Sequence, residues 1–109
     1  MDKFYGRMNG PTSSSFVKGL CGEEMEFYLI INNEVITEVK YYSEGCEHTR
    51  ICAATAAKLA LNRTVAEALL ISAGEVIDMN KNLPREHLHC SILAVSALYK
   101  AIADYLLKM

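Results

Sequence analysis

The run Glu24-Met25-Glu26-Phe27-Tyr28-Leu29-Ile30-Ile31, the pair Asn32-Asn33 and the run Val35-Ile36-Thr37-Glu38-Val39-Lys40-Tyr41-Tyr42 decide the fold class. Both runs are rich in residues that suit a pleated, half-buried surface, and the asparagines between them are a turn signal. Together they predict an antiparallel hairpin. Gly45 breaks the pattern, and from Glu47 the period changes. Ile51, Ala54, Thr55, Lys58, Leu59 and Leu61 predict a small-residue helix ending near Asn62. Thr64-Val65-Ala66-Glu67 and Ser72-Ala73-Gly74-Glu75 are capping boxes, each opening a short helix. A loop at 80–83 follows. Pro84 suits the first turn of a helix, where a missing N–H costs nothing. Leu88, Ile92, Val95, Leu98, Ile102 and Tyr105 then carry a helical period toward the C-terminus. A hairpin followed by helices predicts an α+β fold. The expected architecture is a small antiparallel sheet of about three strands, helices packed on one face and a long C-terminal helix. Residues 1–20, with Gly6, Gly10, Pro11 and Ser13-Ser14-Ser15, read as a loop-rich segment.

With 109 residues the chain suits one domain, 1–109, with one core. Hydrophobic residues make up 51%, which indicates a packed globular protein rather than a disordered one. The net charge of −2 comes with dispersed basic residues, which speaks against nucleic acid as a partner. The opening Met1-Asp2-Lys3-Phe4-Tyr5-Gly6-Arg7 is not a signal peptide, and no apolar run approaches the ~20 residues of a membrane span. No membrane association is expected, and a cytoplasmic location is. There the cysteines at 21, 46, 52 and 90 stay reduced. Scattered cysteines in that compartment read as metal-binding or reactive, or else as buried small hydrophobes.

Cys21 precedes the first hairpin strand, and Cys46 follows the second. In an antiparallel hairpin those two ends are neighbours, so the two cysteines are expected to meet at one end of the sheet. Gly22 allows a sharp turn that points Cys21 and Glu23 at one place. His89 and Cys90 stand near the start of the last helix, whose dipole favours a thiolate, the form that acts as nucleophile and ligand. Three thiols, an imidazole and a carboxylate would converge. Such a set suits zinc, Cu(I) or an iron–sulfur cluster rather than magnesium or calcium. His48 and Cys52 are four apart and share a helix face, a possible extension of the ligand set. The alternative places His48 at the surface and Cys52 in the core.

Three motifs in order resemble the U-type iron–sulfur cluster scaffold family, the group of IscU and the NifU N-terminal domain. Cys21-Gly22-Glu23 is similar to its Cys-Gly-Asp motif, and Gly45-Cys46 to its Gly-Cys motif. The stretch from Leu83-Pro84 through His89-Cys90-Ser91 to Ala101-Ile102-Ala103-Asp104-Tyr105 resembles its C-terminal part. The resemblance implies a protein that takes sulfur from a cysteine desulfurase, binds iron, assembles a 2Fe–2S cluster and passes it to apo-proteins. It implies Cys21, Cys46 and Cys90 as ligands, with Glu23 or His89 at the fourth position and Cys90 as persulfide acceptor. Zinc is an expected occupant of the purified protein, because it binds the same donors.

The chain also departs from that pattern. Glu23 replaces an aspartate, and His87, a candidate extra metal ligand beside His48 and Cys52, stands where the family has a lysine. The family's Hsp70-type chaperone motif matches only at Leu83-Pro84. The implied protein is a scaffold rather than a turnover enzyme, a monomer or weak homodimer. A zinc-bound sulfurtransferase is one rival reading. The other is a module with a closed, structural zinc whose removal unfolds it.

Overall fold

The computed structural model describes residues 2–19 and 22–108. Three antiparallel strands lie in chain order, β1 Ser13–Lys18, β2 Glu24–Asn32 and β3 Val35–Tyr42. Four helices follow: α1 Glu47–Ala60, α2 Val65–Ala68, α3 Ala73–Met79 and α4 His89–Leu107, with a 3-10 turn at Arg85–His87 before the last.

On β2 the residues alternate, and Met25, Phe27, Leu29 and Ile31 are buried on one face. On β3 the alternation is broken, because the register slips between Ile30 and Ile31: Ile30 faces Glu38, but Ile31 faces Ile36. This bulge puts Ile36 and Val39 on the same buried side although they are three residues apart. The hairpin turn takes Asn33 and Glu34 through φ of 52° and 66°, the left-handed pair that matches strand twist. Glu34 accepts that conformation while its carboxylate takes a hydrogen bond from the Tyr105 hydroxyl.

Strand β1 corrects the reading of residues 1–20 as loop. Phe16 and Val17 suit a strand but the three serines before them mask it, and tertiary contacts place Ser13 to Lys18. They pair with β2 from Ser13↔Leu29 to Lys18↔Glu24. Their small side chains let α4 lie close: the Ser15 hydroxyl donates to the Ala97 carbonyl at 2.7 Å, and the Ser14 N–H donates to Asp104 at 3.1 Å. At the opposite edge the N-terminal segment extends β3, with Tyr41 N–H donating to the Phe4 carbonyl and Gly6 N–H to the Tyr41 carbonyl.

Helices α1 and α4 cover one sheet face, and α3 packs on those two helices. Helix α1 buries Ala53, Ala56, Ala57 and Ala60, and α4 buries Ala94, Ala97 and Ala101, which brings the two helices together with little side chain between them. Helix α1 stops where Asn62 takes φ 69°, a left-handed C-terminal cap. Both capping boxes form, Thr64 with Glu67 and Ser72 with Glu75.

The stripe read along the last helix needs one correction. Ile92 is 60% exposed, whereas Leu93, Ala94, Leu98, Ala101 and Ile102 face inward. Ile92 lies roughly 200° round the helix from Ala94, on the side that nothing covers. The segment 85–107 is also long and apolar enough to cross a membrane by length and composition, contrary to the expectation from the sequence. Half of its most apolar window is buried inside the fold, where it serves as the central core helix.

Candidate metal centre

Chain geometry brings the chemistry-bearing residues to one end of the sheet. Strand β3 ends at Tyr42, and Gly45 leads into Cys46, the N-cap of α1. A Cβ at Gly45 would stand 3.2 Å from Thr49 and from the Ser43 hydroxyl, so a larger residue would fit only if those side chains gave way by a few tenths of an ångström. Cys46 is exposed. Three residues on, Thr49 is fully buried, and its hydroxyl oxygen lies 3.4 Å from Cys46 Sγ and 3.4 Å from Cys90 Sγ.

The second and third groups come from elsewhere in the chain. The turn before β2 closes with Gly19 N–H donating to the Glu23 carbonyl at 2.6 Å, and Gly22 takes φ 88°, which favours glycine. That turn presents Glu23, whose Oε1 is 3.5 Å from His89 Nε2. His89 and Cys90 are the first two residues of α4, with His89 Nε2 4.0 Å from Cys90 Sγ. The 3-10 turn supplies His87. Two groups of potential ligand atoms result, Glu23–His89–Cys90 and Cys46–His87–Cys90, each with its atoms within 4.8 Å of one another.

These surroundings rank the thiols. Cys46 is held below the usual thiol range, chiefly by the Thr49 hydroxyl; no first-turn N–H caps it outright, but those of Thr49 and His48 add to the effect. Cys90 goes the other way. A helix start is expected to favour its thiolate, but only 1% of the residue is exposed, and burial pushes the thiol up despite the Thr49 hydroxyl. Cys52 is fully buried and pushed up to about 12, again by burial. Among these three, iodoacetamide near pH 7.5 should therefore alkylate Cys46 first, because the thiolate is the reacting form. Peptide mass spectrometry over time reads this order. Labelling of Cys90 or Cys52 at an equal rate would overturn the ranking.

The structure brings Glu23, Cys46, His89 and Cys90 to one corner, and Cys21 lies outside the described residues. The His48–Cys52 half-site does not form: Cys52 is in the core, and the His48 ring lies tilted against that of His87, with centroids 4.1 Å apart. Thr49 is a site residue that the sequence reading lacks. Its signal is a hydroxyl three residues after a helix-capping cysteine, a spacing that turns it back toward the cap.

The donor set, thiolates with imidazole and carboxylate, fits zinc or iron and not a hard cation. A family model described as NifU-like N terminal domain matches residues 5–109. The chain belongs to that family. Curated relatives of this chain are named for iron–sulfur cluster assembly. The iron-sulfur cluster assembly scaffold protein IscU 1 of Archaeoglobus fulgidus is 34% identical over 89 residues, covering 82% of this chain and 58% of that protein. The scaffold protein IscU of Aquifex aeolicus is 28% identical over 90 residues, covering 81% and 57%. The chain therefore spans a little over half the length of these relatives. Among solved structures, the N-terminal part of a nitrogen-fixing NifU-like protein from Brucella abortus superposes with a TM-score of 0.76 at 16% identity, covering 98% of this chain and 88% of that one. At that identity the likeness establishes the α+β fold.

Proposed function

We propose that this NifU-like domain is an iron–sulfur cluster assembly scaffold. The observation that carries the reading is the meeting of Cys46, Cys90, His89 and Glu23 at one partly open corner of a domain of this family. Sulfur arrives as a desulfurase persulfide. The acceptor thiolate, assigned to Cys90, attacks its outer sulfur; the S–S bond breaks and the desulfurase thiolate leaves. A two-electron donor, an external thiol or a ferredoxin, then reduces that persulfide, freeing the Cys90 thiolate and releasing sulfide, and iron and sulfide build the cargo, a 2Fe–2S cluster, on Cys21, Cys46 and Cys90 with Glu23 or His89. Apo-proteins receive it. Exposure of Cys46 suits this traffic, because donor, iron and acceptor all need access.

The test is anaerobic reconstitution with ferrous iron, cysteine and a cysteine desulfurase, followed by absorption spectroscopy and transfer to an apo-ferredoxin. A 2Fe–2S spectrum and its transfer are expected. Glu23→Ala should assemble the cluster but release it more slowly, because a carboxylate is a hard and exchangeable ligand to iron. Release as fast as the parent's removes Glu23 from that role. A protein that takes up sulfur and retains zinc but never develops the cluster spectrum is a sulfurtransferase instead.

A further inference from the structure

Thr49 carries a hydroxyl in a place where packing alone asks for none. The residue is fully buried, in the first turn of α1. A valine would fill the same space without a polar group, and burying a hydroxyl costs free energy unless it is hydrogen-bonded. The usual partner of a threonine hydroxyl inside a helix is the carbonyl one turn back. Thr55 of the same helix follows that habit and donates to the Ile51 carbonyl at 3.0 Å. Thr49 does not. Its hydrogen-bond partners among the described residues are two sulfurs, Cys46 Sγ and Cys90 Sγ, each at 3.4 Å.

The side chain is held in that orientation from the other side. The Thr49 methyl lies beside Gly45, which leaves it room; a Cβ there would stand 3.2 Å from the methyl. A β-branched side chain has few χ1 choices, and with the methyl in this place the oxygen faces the sulfurs. Cys46 is exposed and only 1% of Cys90 is, so the hydroxyl stands between an outer and an inner thiol. Water does not reach it there to compete for the bond.

We propose that Thr49 is a positioning residue for cluster release: its hydroxyl ties the Cys46 and Cys90 sulfurs together in the metal-free protein, and in the loaded protein it donates to one of them and loosens that sulfur's hold on iron. The role in release rests on the scaffold reading, whereas the hydrogen bond does not. A hydroxyl has a single proton to donate. Burial keeps Cys90 a neutral thiol in the metal-free state, so its S–H donates to the Thr49 oxygen while the O–H donates to Cys46. Once both sulfurs are thiolate ligands neither has a proton to give, and the O–H has two acceptors. A hydrogen bond to a ligand sulfur draws charge from it. The sulfur then binds ferric iron less strongly, and the cluster becomes easier to reduce. Glu23 and Thr49 thus act on release by different routes, Glu23 by exchanging as a ligand and Thr49 by weakening a ligand that stays.

The experiment compares the full chain with Thr49→Val, which keeps the shape and removes the hydroxyl, and Thr49→Ser, which keeps the hydroxyl. Circular dichroism checks the fold of each. All three are first loaded anaerobically with Co²⁺ alone, with no sulfide or desulfurase present. The sulfur-to-cobalt absorption band should move to lower energy in Thr49→Val, because a thiolate that has lost a hydrogen bond gives up an electron more easily. In Thr49→Ser it should return to the parent position. The proteins are then reconstituted with cluster. Thr49→Val should show a more negative midpoint potential and pass its cluster to an apo-ferredoxin several-fold more slowly, with Thr49→Ser close to the parent. A further reading needs no substitution at position 49: in the metal-free parent, the Raman S–H stretch that disappears in Cys90→Ser should lie below that of a thiol without a hydrogen bond. Equal cobalt bands and potentials in the parent and Thr49→Val, equal shifts in both variants, or an unshifted S–H stretch would overturn the proposal. A parent that never assembles a cluster removes the scaffold reading and with it the role in release, while the cobalt and S–H bands still show whether Thr49 holds the two sulfurs.

Discussion

Cys90→Ser should abolish cluster assembly while the domain stays folded. Serine nearly matches the size of cysteine, and its hydroxyl can pair with the Thr49 hydroxyl that already stands 3.4 Å from the sulfur. What disappears is the one atom common to both candidate ligand groups. Cys52→Ala is the control. That side chain is fully buried, far above the thiolate range at about 12, and absent from both groups. Its loss removes one heavy atom from the core and should cost about 1 kcal/mol with assembly intact. The two variants are to be run in parallel, with mass spectrometry of the sulfur adduct after desulfurase treatment and absorption spectroscopy after reconstitution. An adduct that survives in Cys90→Ser but vanishes in Cys52→Ala would move the working thiol into the body of α1. An adduct on Cys46 alone would place the acceptor at the N-cap, where the thiolate is favoured.

The largest stability effect is expected at Phe27. It sits mid-way along the central strand, between Ser15 of β1 and Tyr41 of β3, and is fully buried. Its ring faces that of Tyr41 with centroids 6.4 Å apart. Phe27→Ala should cost about 3–5 kcal/mol, through lost burial and the cavity left behind. Against a typical total of about 5–15 kcal/mol this approaches unfolding. The melting temperature should fall by roughly 12 °C or more. Urea titration measures the change directly. A loss below about 1.5 kcal/mol would mean that the sheet and α4 close over the gap, and that Phe27 is not the pivot of the core.

Local chemistry makes much of this protein legible in its sequence. The β2–β3 hairpin, both capping boxes and the long last helix follow from side-chain period and from polar groups that act within four residues. Cys46 at a helix start and Cys52 in the core follow from the same short-range geometry. Longer-range packing decided the rest. Ser13 to Lys18 became a strand only because β2 offered an open edge and α4 needed small residues beneath it. Ile92 keeps the helical period yet faces outward, because period shows that a helix has faces and packing selects the buried one. The dipole at the start of α4 favours a Cys90 thiolate, but burial among α1 and α4 side chains outweighs it and leaves Cys46 as the favoured thiolate. The meeting of Cys46, Thr49, His87 and Cys90 joins residues about forty positions apart. Sequence supplied the donors; where α4 begins relative to the start of α1 decided which of them stand close enough to share an ion, because thiolate and imidazole ligands act only at bonding distance.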